Sequence, residues 1–401
     1  KQGKVKTLSN IIYVDNAATT PVSKPVFDAM APYFCEQYGN PSSIFYSVGA
    51  AAGDALAAAR EKVARALGCD TGEVFFTSCG SEADNWAIKG CMHAQARTKG
   101  RKGRFVTTAF EHPAVLNSAR TLHEDGFDVA YVPVGETGFV DERAFAEALG
   151  HGADLASAML ANNEVGTIQP VARLARAAHA AGARFHCDAV QAFGHTPVDV
   201  RDLDVDYLSV SGHKFHGPKG VGFLYARDGA PLEPLMDGGR QERGLRGGTE
   251  NVAGIVGMAA AAEEACTNMA EDARRIARLR NELQRRILEE ISGTCMNGAE
   301  PRVPGTLDIS FKGVDSASLV ELLDERGVCA SGGSACASRE GEPSHVLTAL
   351  GLSTERAQGA LRFSLSDETS KTDIDQTLRI LKSCIDQLRN FGLIDIARFR
   401  S

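Results

Sequence analysis

The stretch VDYLSVSGHKFHGPKGVG, residues Val205 to Gly222, puts a lysine where a lysine is least comfortable. Its first half, Asp206 to Ser211, mixes aromatic, β-branched and small residues and reads as a short buried strand running into a turn. Lys214 follows the strand end, between His213 and the glycines Gly212, Gly217 and Gly220. An amine held against a sheet edge is partly desolvated. Desolvation disfavours its ammonium form and leaves a nucleophile able to form a Schiff base, as a pyridoxal phosphate site requires. A single lysine in a glycine-rich turn is more often an ordinary solvated side chain, so the reading stands only if other parts of the chain converge on it.

Working outward, strand and helix signals alternate on the N-terminal side of this stretch. Strands are expected at Glu73 to Thr77, Arg104 to Ala109, Asp128 to Pro133, Leu155 to Ala161 and Arg184 to Asp188, and helices at Ser81 to Arg97, Pro113 to Glu124, Glu142 to Leu149 and Val171 to Ala181. A strong helix at Ala50 to Leu67, stopped by Gly68, precedes them. Such alternation predicts an α/β fold with a mostly parallel sheet covered by helices on both faces, and ligands in such sheets bind beyond the carboxyl ends of the strands. After Gly257 the pattern changes. An amphipathic helix at Glu271 to Ile291 carries Ile276, Leu279, Leu283, Ile287 and Ile291 on one stripe. Strands at Gly305 to Phe311, Val328 to Ser331 and Ala360 to Ser364 then mix with helices in a smaller α+β unit. The expected division is a large domain of residues 16–260 and a small one of residues 1–15 and 261–401.

Composition bounds the function. The chain has 401 residues, 43% hydrophobic and 23% charged, with a net charge of -8. No basic excess is available to neutralise a nucleic acid backbone, so direct nucleic acid binding is not expected. No run of 18 apolar residues suggests a membrane span and no signal-peptide pattern opens the chain, which reads as cytoplasmic. Ten cysteines form no CxxC pair and no paired metal spacing; reduced thiols and no metal are the expectation.

Other residues do converge. Ser78, Cys79, Gly80, Ser81 and Glu82 follow a strand and open a helix, where backbone N–H groups and the helix dipole suit a phosphate. His112 and Asn163 lie at strand ends and face the same rim. In RFHCDAVQ a period of two puts His186 and Asp188 on one face. A carboxylate at that depth needs a cationic partner, which a protonated pyridine nitrogen supplies. A helix cap or a structural ion pair would equally occupy such an Asp. Gln191, three residues on, is placed to donate to the pyridine's phenolate oxygen.

Taken together these residues resemble the cysteine desulfurases, the NifS/IscS-like group within the class V aminotransferase superfamily of fold-type I pyridoxal phosphate enzymes. The resemblance runs in order through YVDNAATTP at Tyr13, YGNPSS at Tyr38, TSCGSEADN at Thr77, EH at Glu111 and NNEVGTIQP at Asn162. It continues through HCDAVQ at His186, SGHKFHGPKG at Ser211, ERGLRGGTEN at Glu242, SGGSACAS at Ser331, EPSHVL at Glu342 and LRFSLS at Leu361. It implies that Lys214 carries pyridoxal 5'-phosphate as a Schiff base and that Gly80, Ser81, Ser211 and His213 hold the phosphate. It further implies that Asp188 pairs with the pyridine nitrogen, Gln191 touches the phenolate oxygen and His112 stacks on the ring. Thr249 corresponds to a threonine that reaches the phosphate across a homodimer interface. Arg362, with Asn163 nearby, corresponds to the clamp on the substrate carboxylate.

The activity implied is conversion of L-cysteine to L-alanine. Cys336, in a Gly/Ser loop, would take the sulfur as a persulfide for delivery to an acceptor protein such as an iron–sulfur scaffold or a tRNA-thiolation carrier. Lys214 and His112 would shuttle protons. Cys329, at the end of the strand Val328 to Ser331, is expected in a packed position with a raised thiol pKa. Two departures from the family pattern are Cys79, where glycine is usual, and Tyr46, where histidine is frequent. A selenocysteine lyase, an aminotransferase or lyase of the same fold that makes no use of Cys336, and a non-catalytic scaffold are the alternatives.

Overall fold

The protein, described here as a computed structural model, is defined over residues 11–332 and 343–399, with side chains to residue 390. Twelve strands lie in this range, in three sheets. The central sheet is built from β2 (Val74–Thr77), β3 (Arg104–Thr108), β4 (Asp128–Val132), β5 (Ala153–Ser157), β6 (Arg184–Asp188), β7 (Tyr207–Ser211) and β8 (Gly222–Ala226). Their order is β2-β8-β7-β6-β5-β3-β4; β8 is antiparallel to both neighbours and every other neighbouring pair is parallel.

Helices on both faces explain why these strands read as near-continuous apolar runs. Successive residues of one strand enter different cores. Phe105, Leu155 and Tyr207 pack with Trp86, Cys91 and Leu122 on one face. Val106, Ala156 and Leu208 pack with Leu174, Phe193 and Met258 on the other.

A second core surrounds the smaller sheets. Here β10 (Thr306–Phe311) pairs antiparallel with β9 (Thr294–Met296) and β12 (Ala360–Ser364), and β1 (Ile12–Tyr13) pairs parallel with β11 (Val328–Cys329). Ile276, Leu283, Ile287 and Ile291 of the expected apolar stripe are buried there, with Leu279 packed partly against them. Their helix is longer than its pattern: it runs unbroken over Val252–Glu290, so the expected domain boundary at 260 falls inside it. Gly257 lies inside it, at a close approach to neighbouring side chains. A Cβ there would lie 3.1 Å from Met30 Sδ and 3.3 Å from Pro218 Cγ. The helix expected at Ser81 to Arg97 is instead divided, with a π-turn at Trp86–Gly90 between Gly80–Asn85 and Cys91–Lys99.

Candidate active site

The strand order reverses between β3 and β5, and a crevice at their carboxyl ends is the usual ligand position in such a sheet. The chain leaving β3 supplies His112, that leaving β5 supplies Asn163, β6 ends in Asp188, and β7 runs into Ser211 and a short turn that ends in Lys214. The Lys214 ammonium donates to the carbonyls of Ala17 and Ala18 at 2.6 and 2.9 Å. Burial, reinforced by Arg362, lowers its pKa to about 8, while Asp15 and Asp188 act in the opposite direction. Gly217 makes this turn close: its N–H donates to the Gly212 carbonyl at 3.0 Å, and an added Cβ would stand 2.7 Å from that oxygen.

Asp188 is 4% exposed and its Oδ1 accepts from the Val190 N–H at 2.9 Å. Burial, then the neighbouring Asp84, push it up to about 7. Asp84 is itself buried and pushed up to about 7; its Oδ1 lies 3.5 Å from His186 Nε2 and has no hydrogen-bond partner among the described residues. His112 caps the helix Pro113–Glu124 through Nδ1, which accepts from the Ala114 N–H at 3.1 Å. Burial lowers its pKa and favours the neutral ring, with the proton assigned to Nε2. His186, between Ser157 and Ser209, is pushed down to about 4 by burial. Asp84, His112 and Asp188 present ligand atoms within 4.8 Å of one another. Among the described residues, neither acid is paired with a lysine or arginine. Two buried acids flanked by neutral imidazoles are short of one cation, and a protonated pyridine nitrogen meets that need.

The residues expected to hold a phosphate are drawn together by Gly80. A Cβ on it would lie 2.6 Å from Val190 Cγ2 and 3.3 Å from Ser211 Cβ, so only glycine brings the helix start against the end of β7. Cys79 is the N-cap here, its thiol accepting from the Glu82 N–H at 3.4 Å, which gives this departure a structural role. Glu82 accepts from the Ser78 N–H at 2.9 Å and from Arg246 at 2.8 and 3.1 Å, tying the loop to the segment that carries Thr249. Ser81 is exposed, Ser211 is buried, and His213 Nδ1 stands 3.1 Å from Thr19 Oγ1. Thr249 is exposed in a cleft shared with Ser78 and Gly220. Gln191 donates to the Ala17 carbonyl at 2.9 Å, the same oxygen that Lys214 uses.

Arg362, central in β12, is 3% exposed. Its Nη1 donates to the Asn163 carbonyl and its Nη2 to Asp15 Oδ1, both at 2.7 Å. Among the described residues, Arg362 Nε and Asn163 Oδ1 have no hydrogen-bond partner. The structure brings Arg362 and Asn163 together; Asp15, two residues beyond β1, was not among the expected site residues, and its backbone bridge to Ser364 sets it beside Arg362. Asp84 was not among them either, since it reads as a first-turn helix acid. Cys336 lies outside the described residues. Cys329 does not have the packed position expected of it: β11 ends at this residue, and its half-buried Sγ is 3.9 Å from Asp324 Oδ1.

A seven-stranded, mostly parallel sheet with a lysine past β7 and a buried acid at the end of β6 defines the fold-type I transferase class. Within it, this chain belongs to the aminotransferase class-V family, whose pattern matches residues 12–377. A relative from Methanosarcina thermophila named cysteine desulfurase IscS is 44% identical over 99% of this chain and 97% of its own length. A solved NifS-like protein superposes with a TM-score of 0.87 at 39% identity, covering 94% of this chain and 99% of that one. The solved structure of SspA in complex with cysteine superposes at 0.79 with 36% identity, covering 89% of this chain and 99% of that one.

Proposed function

We propose that the chain is a pyridoxal 5'-phosphate-dependent cysteine desulfurase that converts L-cysteine to L-alanine and passes the sulfur to its own Cys336. The observation that carries the reading is the meeting of a desolvated lysine, a buried acid pair lacking a cation and a buried arginine near the carboxyl ends of β6 and β7, in a chain whose relatives bear that name. Lys214 would hold the cofactor covalently, and Asp188 its pyridine nitrogen. Gly80, Ser81, Ser211 and His213, with Thr249 of a second copy, would hold its phosphate. When bound, the cofactor would supply an electron sink beside the substrate's α-carbon.

The chain's own residues do the rest. Arg362 holds the substrate carboxylate, with Asn163 beside it, and so fixes which α-carbon bond faces Lys214. The lysine amine, with a pKa near 8, and the neutral His112 ring accept and return protons close to working pH. Cys336 thiolate takes the sulfur from the substrate β-carbon; the bond to carbon breaks, a sulfur–sulfur bond forms, and alanine remains after protonation.

Several finer points belong to the same reading. Exposed Tyr38, Ile44, Phe45 and Tyr46 suit burial against a second copy in a homodimer. A sulfur acceptor, such as an iron–sulfur scaffold, would collect the persulfide in the cytoplasm. Among the described residues no helix is long and apolar enough to cross a membrane. Residues 16–260 would form the cofactor domain, and residues 1–15 with 261–401 the domain bearing Cys336, joined by the continuous helix.

Mass spectrometry after a single turnover without reductant tests the proposal. The persulfide is expected on Cys336, and Cys336→Ser should release no alanine while Cys329→Ser retains both. A persulfide mapped to Cys329, or wild-type alanine release by Cys336→Ser, contradicts the mechanism.

A further inference from the structure

Arg362 is the clamp for a substrate carboxylate in the function proposed above, and this inference rests on that reading. One of its prongs already carries a carboxylate of the chain. Asp15 Oδ1 lies 2.7 Å from Nη2, Nη1 donates to the Asn163 carbonyl, and Nε has no partner among the described residues. The guanidinium is 4% exposed and the Asp15 side chain 18%, so the acid reaches the arginine from the wetter side. The backbone around Asp15 is fixed by a bond from the Ser364 N–H to the Val14 carbonyl at 2.7 Å and from the Asn16 N–H to the Ser364 carbonyl at 3.1 Å. With the backbone held, release of Arg362 falls to the partly exposed Asp15 side chain.

The surrounding charges make that exchange meaningful. Glu164 and Asp308 also face Arg362, but both are buried and burial raises their pKa, which favours their neutral forms. Among the described residues Asp15 is the remaining acid opposite Arg362, and its charge also offsets the arginine's effect on Lys214. A second carboxylate arriving at the same guanidinium meets a like charge and competes with Asp15 for the Nη2 position.

We propose that Asp15 is a placeholder carboxylate: it occupies Arg362 until the α-carboxylate of the substrate displaces it toward solvent, and this exchange sets the affinity for the substrate. A substrate lacking a carboxylate has nothing to exchange and leaves the internal pair closed.

The experiment compares wild-type holoenzyme with Asp15→Asn and Asp15→Glu, with Asp15→Ser as the neutral variant should Asn fold poorly. Readouts are KM and kcat for alanine release from cysteine, inhibition by propionate as a bare carboxylate, and thermal melting. Removing a partly exposed competitor should lower KM and the propionate inhibition constant together by about threefold, with kcat changing less than about twofold. Asp15→Glu should stay near wild type. A KM that is unchanged or raised in the neutral variants overturns the proposal, because an acid that merely orients Arg362 or stabilises the fold cannot tighten binding when removed. If instead the wild type releases no alanine from cysteine, the functional reading has failed. Propionate binding followed by thermal shift then still decides the placeholder role: tighter in the neutral variants supports it, unchanged or weaker overturns it.

Discussion

Replacing Arg362 by lysine keeps the charge and removes the fork. In the structure the two prongs reach different acceptors, the Asn163 carbonyl and Asp15 Oδ1, each at 2.7 Å. A lysine ammonium at the end of a flexible stem can serve one such position well, not two at the fixed spacing a carboxylate requires. The loss is one charge-assisted hydrogen bond to the bound carboxylate, about 1.5–3 kcal/mol, which corresponds to a rise of roughly 10- to 150-fold in half-saturating cysteine. Because the contact is made with substrate and transition state alike, the effect should fall on KM much more than on kcat. Steady-state alanine release over a wide cysteine range measures both, with a thermal melt as the control for folding. An Arg362→Lys variant that matches wild type in KM and kcat would mean that the carboxylate clamp lies elsewhere.

Further expectations concern the cofactor side. Lys214→Ala should abolish turnover while the protein folds; loss of the visible band on borohydride treatment of the wild type, with the label mapped to residue 214, checks the covalent attachment. Gly80→Ala forces a Cβ to within 2.6 Å of Val190 Cγ2, so it should cost about 1–3 kcal/mol in stability and weaken cofactor retention, read by dialysis and absorbance. In cofactor-free protein, the lowered Lys214 pKa means that the folded state binds fewer protons than the unfolded state between about 8 and 10.5. The penalty of burying its charge is thus complete below pH 8 and disappears as pH rises toward 10.5. Lys214→Met should therefore melt higher than wild type at pH 7 by up to ~3 kcal/mol, and the gap should close across that window; a gap independent of pH would refute the desolvation argument.

The sequence made the framework legible because helix and strand periods alternate cleanly, and the rim residues His112, Asn163, Asp188 and Lys214 each follow an apolar run. It was silent on β8, GFLYA at Gly222–Ala226, which follows the Lys214 turn directly, is buried throughout and lacks the alternation of a half-exposed strand. It was silent also on the unity of the helix Val252–Glu290. The first third of that helix is rich in alanine and glycine and buried on several sides, so no stripe marks it. Asp15 and Asp84 act through partners 347 and more than 100 positions away in the chain, Arg362 and Asp188. Such pairings depend on register between distant strands, and no local spacing encodes them. Gln191 was expected to touch the phenolate oxygen; its amide donates to the Ala17 carbonyl, a contact that only the folded N-terminal segment reveals.

The most direct test of the central claim is to incubate the purified yellow protein with L-cysteine and a thiol reductant and to measure alanine and sulfide together. The account predicts equimolar alanine and sulfide without any added keto acid, and neither product from Lys214→Ala. Pyruvate and ammonia in place of alanine, or a new amino acid formed only when a keto acid is supplied, would contradict it.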